Sequence, residues 1–383
     1  MDTLAPIAAR RELTLARESG GTAHACLDMA QATAERGHEV AIFATDYGGG
    51  LGSPPPAGVE LREFPVGWPT AWRTSLGLIQ ALWREIDRFD VMHVHSLYLF
   101  HTWVGGDSAR FFGLPYTISP HGSLDPYIWR RSRLRKAATE LVFQRRVLAN
   151  AAAIHYTSAV ERDISAPVAG PAPARVVPLG IDLAAYDALP GPAPFHAAFP
   201  ITRGRRLVLF MGRLHEKKGL DLLVDGFAAA HRVHPDLHLV VAGPDDGAGE
   251  PAKRQLARLG LTEHATFTGM LLGEAKFSAL SAASMFVLPS HSENFGIVVA
   301  EAMAAGLPTV VSDKVNIHNE IGGRGAIVVP CQAEAVGEAM LKLAGDPAEA
   351  RRIGVQARET VRTLYAWTAV AERLEALYRD VAR

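Results

Sequence analysis

The sequence predicts an α/β protein built from two doubly wound, Rossmann-like domains. Length is the first reason: 383 residues exceed what one hydrophobic core usually organises, and two domains of roughly 150 to 200 residues are the natural division. Rhythm is the second, because short β-rich runs alternate with longer amphipathic runs through most of the chain. Composition is the third: residues 189–205, dense in Pro and Gly, read as a linker between an N-terminal domain, 1–188, and a C-terminal domain, 206–365.

Along the first domain no clean run precedes Gly20, and a weak first strand is expected near Leu13 to Ala16. Helix TAHACLDMAQATAERG then leads into strand EVAIFAT, GLIQALWREIDRF leads into VMHVHS, and PYTIS, AAIHYTS and ARVVPL follow as strands. In the second domain strand RLVLFMG precedes helix GLDLLVDGFAAAHRV and strand LHLVVAG. The beat continues through helix EPAKRQLARLG, strand ATFTG, helix GEAKFSALSAA, strand MFVLPS, helix FGIVVAEAMAAG and strands PTVVSD and AIVVP. Strands separated by helices pair in parallel with both faces covered, and ligands bind beyond the carboxyl ends of such strands. Beyond Pro330 the chain reads as helix, and its last segment, 366–383, is expected to pack back toward the N-terminal domain.

Bulk properties narrow the class. Forty acids against 39 Lys and Arg leave a net charge of -1, which gives no global reason to expect nucleic-acid binding. Two cysteines, Cys26 and Cys331, are too few for a disulfide framework and favour a reducing cytosol. The start MDTLAPIAARRELTLARESGG has charges where a secretory leader needs an apolar run, and no window reaches the ~18 apolar residues of a spanning helix. The expectation is a cytoplasmic protein that meets a membrane, if at all, peripherally at its inner face.

The chemistry concentrates in HSENFGIVVAEAMAAGLPTVVSD, residues 291–313, where an apolar helix carries Glu301 and is preceded by Glu293. A buried carboxylate is costly unless paired, so these acids are expected to bind something. With the helix starting near Phe295, the N–H groups of Phe295, Gly296 and Ile297 lack helical partners and form an anion site with the helix dipole. Eight residues of helical rise would separate the acids by roughly 12 Å, about the span from sugar to ribose in a nucleoside diphosphate sugar. Each carboxylate suits vicinal hydroxyls. Cations for a diphosphate come from GRLHEKKG after strand RLVLFMG, where Arg213 and Lys218 stand at the carboxyl end of the sheet. The alternative for each of these residues alone is an ordinary ion pair.

The stretches GRLHEKKGLDLLVDGF, LVVAGPDDG, FTGMLLGEAKFSALSAASMFVLPSHSENFGIVVAEAMAAGLPTVVSD and LGIDLAAYD resemble the retaining glycosyltransferases of family 4, glycosyl transferases group 1, with members in bacterial surface-polysaccharide biosynthesis. The resemblance runs from Gly20 through nearly the whole chain. It implies the GT-B architecture, two Rossmann-like domains facing across a cleft. It also implies that Glu293 contacts the donor sugar, Asn294, Phe295, Gly296 and Ile297 lie at sugar and phosphates, and Glu301 holds the ribose. By the same resemblance Arg213 and Lys218 neutralise the diphosphate, the backbone at Gly269 and Met270 faces the base, and the turn at Gly20 and Gly21 approaches the phosphates. The resemblance further implies that His121, in the HG pair of ISPHGSLDPY, lies close to the reacting sugar, with Asp125 nearby on the acceptor side; the alternative for His121 is a loop histidine capping a turn. His95 of VMHVHS is either an acceptor-pocket residue or a satisfied buried histidine.

The segment WRRSRLRKAATELVFQRRVL holds seven basic residues between Arg130 and Arg146 against Glu140, with Trp129, Leu134, Leu141, Val142 and Phe143 as an apolar side. It suits an anionic membrane surface or a phosphorylated acceptor, or else is a solvated helix face. The function expected is retaining transfer from a UDP- or GDP-sugar to a glycan acceptor, lipid-linked in lipopolysaccharide, capsule or exopolysaccharide synthesis. No cofactor and no metal are expected, since the chain has no DxD motif. Alternatives are an inactive nucleotide-sugar binding homologue and a GT-B epimerase.

Overall fold

The structure is a computed structural model and describes residues 7–11, 21–47, 55–126 and 139–382. It divides into two compact units, Met1–Gly180 with Trp367–Arg383, and Ile181–Ala366. The chain therefore changes unit between Gly180 and Ile181 and again between Ala366 and Trp367, not along residues 189–205. That Pro-rich stretch holds the helix Ala193–Ala198 and the turn Pro200–Thr202 inside the second unit. Phe195 there is buried and the Ser281 hydroxyl donates to the Pro190 carbonyl, so its Pro and Gly shape packed turns instead of a tether.

The first unit contains a seven-stranded sheet in the order β3-β2-β1-β4-β5-β6-β7, formed by β1 (Ile7–Arg11), β2 (Val40–Thr45), β3 (Val59–Phe64), β4 (Val91–His95), β5 (Tyr116–Ser119), β6 (Ala153–Tyr156) and β7 (Ala174–Val176). Every neighbouring pair is parallel. The first strand lies earlier than Leu13 to Ala16, which fall outside the described residues, as does Gly20. β2 and β4 are buried along their whole length, so they read as apolar runs without a solvent face. In β4 the period of two puts Val91, His93 and His95 on one face and Met92 and Val94 on the other.

The helix Trp367–Val381 belongs to this first unit. Its Val370, Leu374, Leu377 and Tyr378 are buried, and so is Glu375. The Glu375 carboxylate pairs with Arg36 at 2.5 Å, with His38 at 3.5 Å and with Arg379. Burial alone would raise its pKa, but the Arg36 hydrogen bond and the surrounding positive charges outweigh it and hold the carboxyl below its ordinary value.

The second unit contains a six-stranded parallel sheet in the order β10-β9-β8-β11-β12-β13, from β8 (Arg206–Met211), β9 (Leu237–Ala242), β10 (Ala265–Gly269), β11 (Ala283–Leu288), β12 (Thr309–Ser312) and β13 (Ala326–Val329). In both sheets the chain starts centrally, winds to one edge and then returns to build the other half. The order reverses between β1 and β4 in one unit and between β8 and β11 in the other, and the loops after those strands are where a doubly wound sheet opens a crevice.

Candidate active site

In the second unit Arg213 and Lys218 follow β8, Glu293 to Gly296 follow β11, Glu301 lies in the next helix, and Gly269 and Met270 stand at the end of β10. After β8, the His215 ring accepts from the Lys217 amide and starts the single turn Glu216–Lys218, which Gly219 ends. Gly219 has φ 71°, and a Cβ placed there would lie 2.0 Å from the Pro289 carbonyl oxygen of the loop after β11. Only glycine fits both demands, and this close approach carries Lys218 to Glu293. The two side chains form a hydrogen-bonded ion pair, largely enclosed. The amides of His291 and Ser292 donate to the Lys217 carbonyl at 2.8 and 3.4 Å, locking the loops together.

Glu293 is not part of the helix. Its amide donates to the Lys314 carbonyl at 3.0 Å, and its carbonyl accepts from the Asn316 amide at 3.0 Å, a bridge to the loop after β12. Gly296, at φ 71°, cannot join a right-handed helix and caps it, so the helix runs Ile297–Ala304 and starts two residues later than Phe295. Glu301 therefore sits in the second turn, and the separation of the acids is not eight residues of helical rise. The Phe295 ring is buried and meets Tyr365 edge-on at 5.2 Å, anchoring the loop. Asn294 accepts from the Asn316 side-chain amide at 3.4 Å.

Glu301 pairs with Lys276 at 2.7 Å. Lys276, on the helix Gly273–Ala282, is not among the residues the sequence singles out. Its one signal is a place in the first helix after strand ATFTG, shared with several polar neighbours. Arg213 is exposed and pairs with Asp246 at 3.0 Å. Gly269, at φ 69°, accepts from the Gly243 amide at 2.8 Å, and the next residue, Met270, is exposed.

In the first unit the helix Gly21–Glu35 opens at Gly21. His121 follows β5 and takes an unusual left-handed backbone, φ 50°, with Gly122 at φ 76°. The Asp125 amide closes the turn on the Gly122 carbonyl at 3.0 Å. His121 Nε2 lies 3.0 Å from His95 Nδ1, and the His95 ring stacks at 4.1 Å on His93. Burial first, and His155 second, lower the His121 pKa to about 3, so the imidazole is neutral near pH 7. His95 is 2% exposed and directs its Nδ1 at His121.

Behind these rings runs a hydrogen-bonded chain whose direction one carbonyl fixes. His155 Nε2 lies 2.7 Å from the Val177 carbonyl and must donate to it. Burial keeps His155 neutral, with a pKa of about 4, so its Nδ1 accepts from Ser119 Oγ at 2.9 Å. The Ser119 oxygen then accepts from His93 Nε2 at 2.7 Å, and His93 Nδ1 accepts from the Tyr378 hydroxyl at 2.7 Å. Burial, followed by His155 and His121, also drives the His93 pKa well down, as this neutral tautomer requires. The chain joins β4, β5, β6 and the C-terminal helix.

Residues 129–138 of the basic segment, with five of its seven basic side chains, lie outside the described residues. Of its described members, Arg145 is 3.6 Å from Glu140, and Arg146 grips Asp107 at 2.6 and 3.1 Å. Phe143 is not on an outer apolar side: it is 1% exposed and stacks on Trp103.

Two parallel-sheet units, each with charged or titratable groups on the loops at the carboxyl edge, are the features of a GT-B protein. Residues 194–360 match the family described as glycosyl transferases group 1, and residues 19–185 match glycosyltransferase family 4. An alpha-maltose-1-phosphate synthase of Mycolicibacterium smegmatis is 33% identical over 313 residues, 76% of this chain and 79% of that protein. The fold is similar to that of a sucrose-phosphate synthase from Thermosynechococcus elongatus, with a TM-score of 0.80 at 24% identity over 98% of each chain. It is also similar to Anabaena HepE in complex with UDP-glucose, with a TM-score of 0.78 at 16% identity over 97% of this chain and 99% of that one. The chain belongs to the group 1 glycosyl transferases and is a glycosyltransferase.

Proposed function

We propose that the protein transfers a sugar from a nucleoside diphosphate sugar to a carbohydrate acceptor with retention at the anomeric carbon. The observation that carries the reading is the pair of lysine-neutralised acids, Lys218 with Glu293 and Lys276 with Glu301, flanking the Gly296-capped helix start. A donor replaces these internal pairs: Glu293 turns to the sugar hydroxyls, Glu301 to the ribose, and Lys218 with Arg213 to the diphosphate. The backbone of Asn294 to Ile297 supports the phosphates, and Gly269 and Met270 the base. Positive charge and N–H groups fixed in advance favour the leaving diphosphate as its charge develops.

In the transfer, the bond from C1 to the β-phosphate oxygen breaks and its electron pair stays on the phosphate. The acceptor hydroxyl forms the new bond on the same face, and its proton passes to the departing phosphate oxygen. His121, neutral at pH 7, serves the reacting sugar, and the positive groups named suffice for the diphosphate without a metal step. UDP is the first nucleotide to test, given that Anabaena HepE, of similar fold, is seen in complex with UDP-glucose.

The acceptor proposed is a glycan of a cell-surface polysaccharide, carried on a lipid and reached from the inner face of the membrane. Among the described residues no helix is long and apolar enough to cross a membrane. The names of the maltose-1-phosphate and sucrose-phosphate synthases favour a second acceptor class, a sugar phosphate. Thermal-shift screening of UDP- and GDP-sugars, followed by NMR of the product anomer with each acceptor class, tests the proposal. Glu301→Ala is expected to weaken UDP binding about tenfold or more, the scale of a charged hydrogen bond, while Glu293→Ala chiefly lowers transfer. Wild-type behaviour in both variants overturns the site.

A further inference from the structure

Glu161 is 2% exposed, and the helix it opens, Ala159–Ala169, has Ser158 as its N-cap. The sequence Ser158-Ala159-Val160-Glu161 has the spacing of a capping box, in which the serine hydroxyl accepts from the glutamate amide and the glutamate side chain reaches back to the serine amide. Half of that box is made, since the Glu161 amide donates to Ser158 Oγ at 3.0 Å. The carboxylate goes elsewhere. One oxygen accepts from the Thr157 amide at 2.7 Å and the Thr157 hydroxyl at 2.8 Å, and the other accepts from the Gly122 amide at 2.6 Å.

The Gly122 bond crosses 39 residues of sequence to the turn that carries His121. There two successive residues have positive φ, 50° and 76°, and the first is a histidine, for which the left-handed region costs of order 1 kcal/mol or more. Such a conformation persists only where its surroundings hold it. On one side His95 meets the ring, and on the other Glu161 meets the amide directly after His121.

We infer that Glu161 is a positioning residue for glycosyl transfer: its buried carboxylate holds the His121–Gly122 turn in the left-handed form that fixes the direction of the imidazole. The inference rests on the reading of His121 as serving the reacting sugar. It separates two parts of one helix start, because the Ser158 hydroxyl caps the helix, whereas the Glu161 carboxylate also reaches the turn.

The test uses the full chain with UDP-glucose as probe, read as UDP release, beside melting curves. His121→Ala is expected to lower kcat about a hundredfold, in the range of a lost acid–base or positioning group. Glu161→Gln is expected to lower kcat by about tenfold or more, with KM for UDP-glucose within about threefold, since a misplaced group loses rate before it loses binding. Ser158→Ala is expected to lower Tm and leave kcat within about twofold. If Glu161→Gln does no more than Ser158→Ala, the positioning role is overturned. If Glu161→Gln does not fold, Thr157→Val, which removes a hydroxyl donor to the carboxylate, decides: a lower kcat at folded Tm supports the role, and an unchanged kcat overturns it. The His121 ring 15N resonances give a readout independent of donor choice, expected to move in Glu161→Gln and stay in Ser158→Ala. Full activity in His121→Ala strikes the reading of His121, whereas its loss there with wild-type kcat in Glu161→Gln strikes only the positioning role.

Discussion

Gly219 shows how much of a site can depend on one missing side chain. Its φ of 71° and the 2.0 Å that would separate a Cβ from the Pro289 oxygen exclude any substituent unless one loop moves. Gly219→Ala is expected to cost at least about 1 to 3 kcal/mol by strain alone, and, since the displaced loop carries the Asn294 to Ile297 backbone proposed to support the phosphates, to weaken UDP binding as well. Melting and UDP titration on the same sample check both. Lys276 gives the contrasting case. Its pair with Glu301 is partly exposed, and such pairs contribute about 0 to 1 kcal/mol, so Lys276→Ala is expected to change Tm only slightly. The acids Glu293 and Glu301 stand out in the sequence because they interrupt apolar composition. Lys276 does not, because a lysine in a polar helix start is the commonest of sights and its partner lies 25 residues away.

At the scale of elements, the polar chain from Tyr378 to Val177 makes a strand group sensitive to acid. His155 titrates at about 4 in the folded protein against about 6.5 ordinarily, and His93 is likewise pushed down. Between those values the unfolded chain takes up protons that the folded chain refuses. The stabilisation is therefore complete above about pH 6.5 and is lost as pH falls toward about 4, by up to about 1.4 kcal/mol per pH unit for each independent group. Tm measured from pH 7.5 down to 5 is expected to fall, with a shallower slope in His155→Gln. Tyr378→Phe leaves His93 Nδ1 buried without its donor and is expected to cost about 1 to 3 kcal/mol at pH 7.5. The strands themselves are legible where both faces are buried, as in VAIFAT and VMHVH. β3, VELREF, is not, because an edge strand with exposed charges lacks the apolar run, and it is held by pairing with β2 that no local pattern announces. Sequence places the helix start in HSENFGIVV two residues early, since composition shows an apolar run but not the positive φ of Gly296 that delays it.

On the scale of the whole molecule, the two units differ in how the chain builds them, and stability follows from that difference. The second unit is continuous, Ile181–Ala366, and holds Arg213, Lys218, Glu293 and Glu301 with the Gly296-capped helix start. Expressed alone, it is expected to unfold cooperatively and to bind UDP within about tenfold of the full chain. The first unit is discontinuous and takes Trp367–Arg383 from the far end. Without that helix, Arg36 loses Glu375, His93 loses the Tyr378 hydroxyl, and the surface under Val370, Leu374 and Leu377 is exposed to water. Each of those apolar side chains is worth about 1.5 to 3 kcal/mol when fully buried, and together with the polar losses this approaches the whole stability of a domain. A chain of residues 1–180 alone is therefore expected to be unfolded or to melt far below the full protein by circular dichroism. Adding a peptide of residues 367–383 is expected to recover part of the difference. Equal melting of residues 1–180 with and without that peptide would count against this account of the first unit.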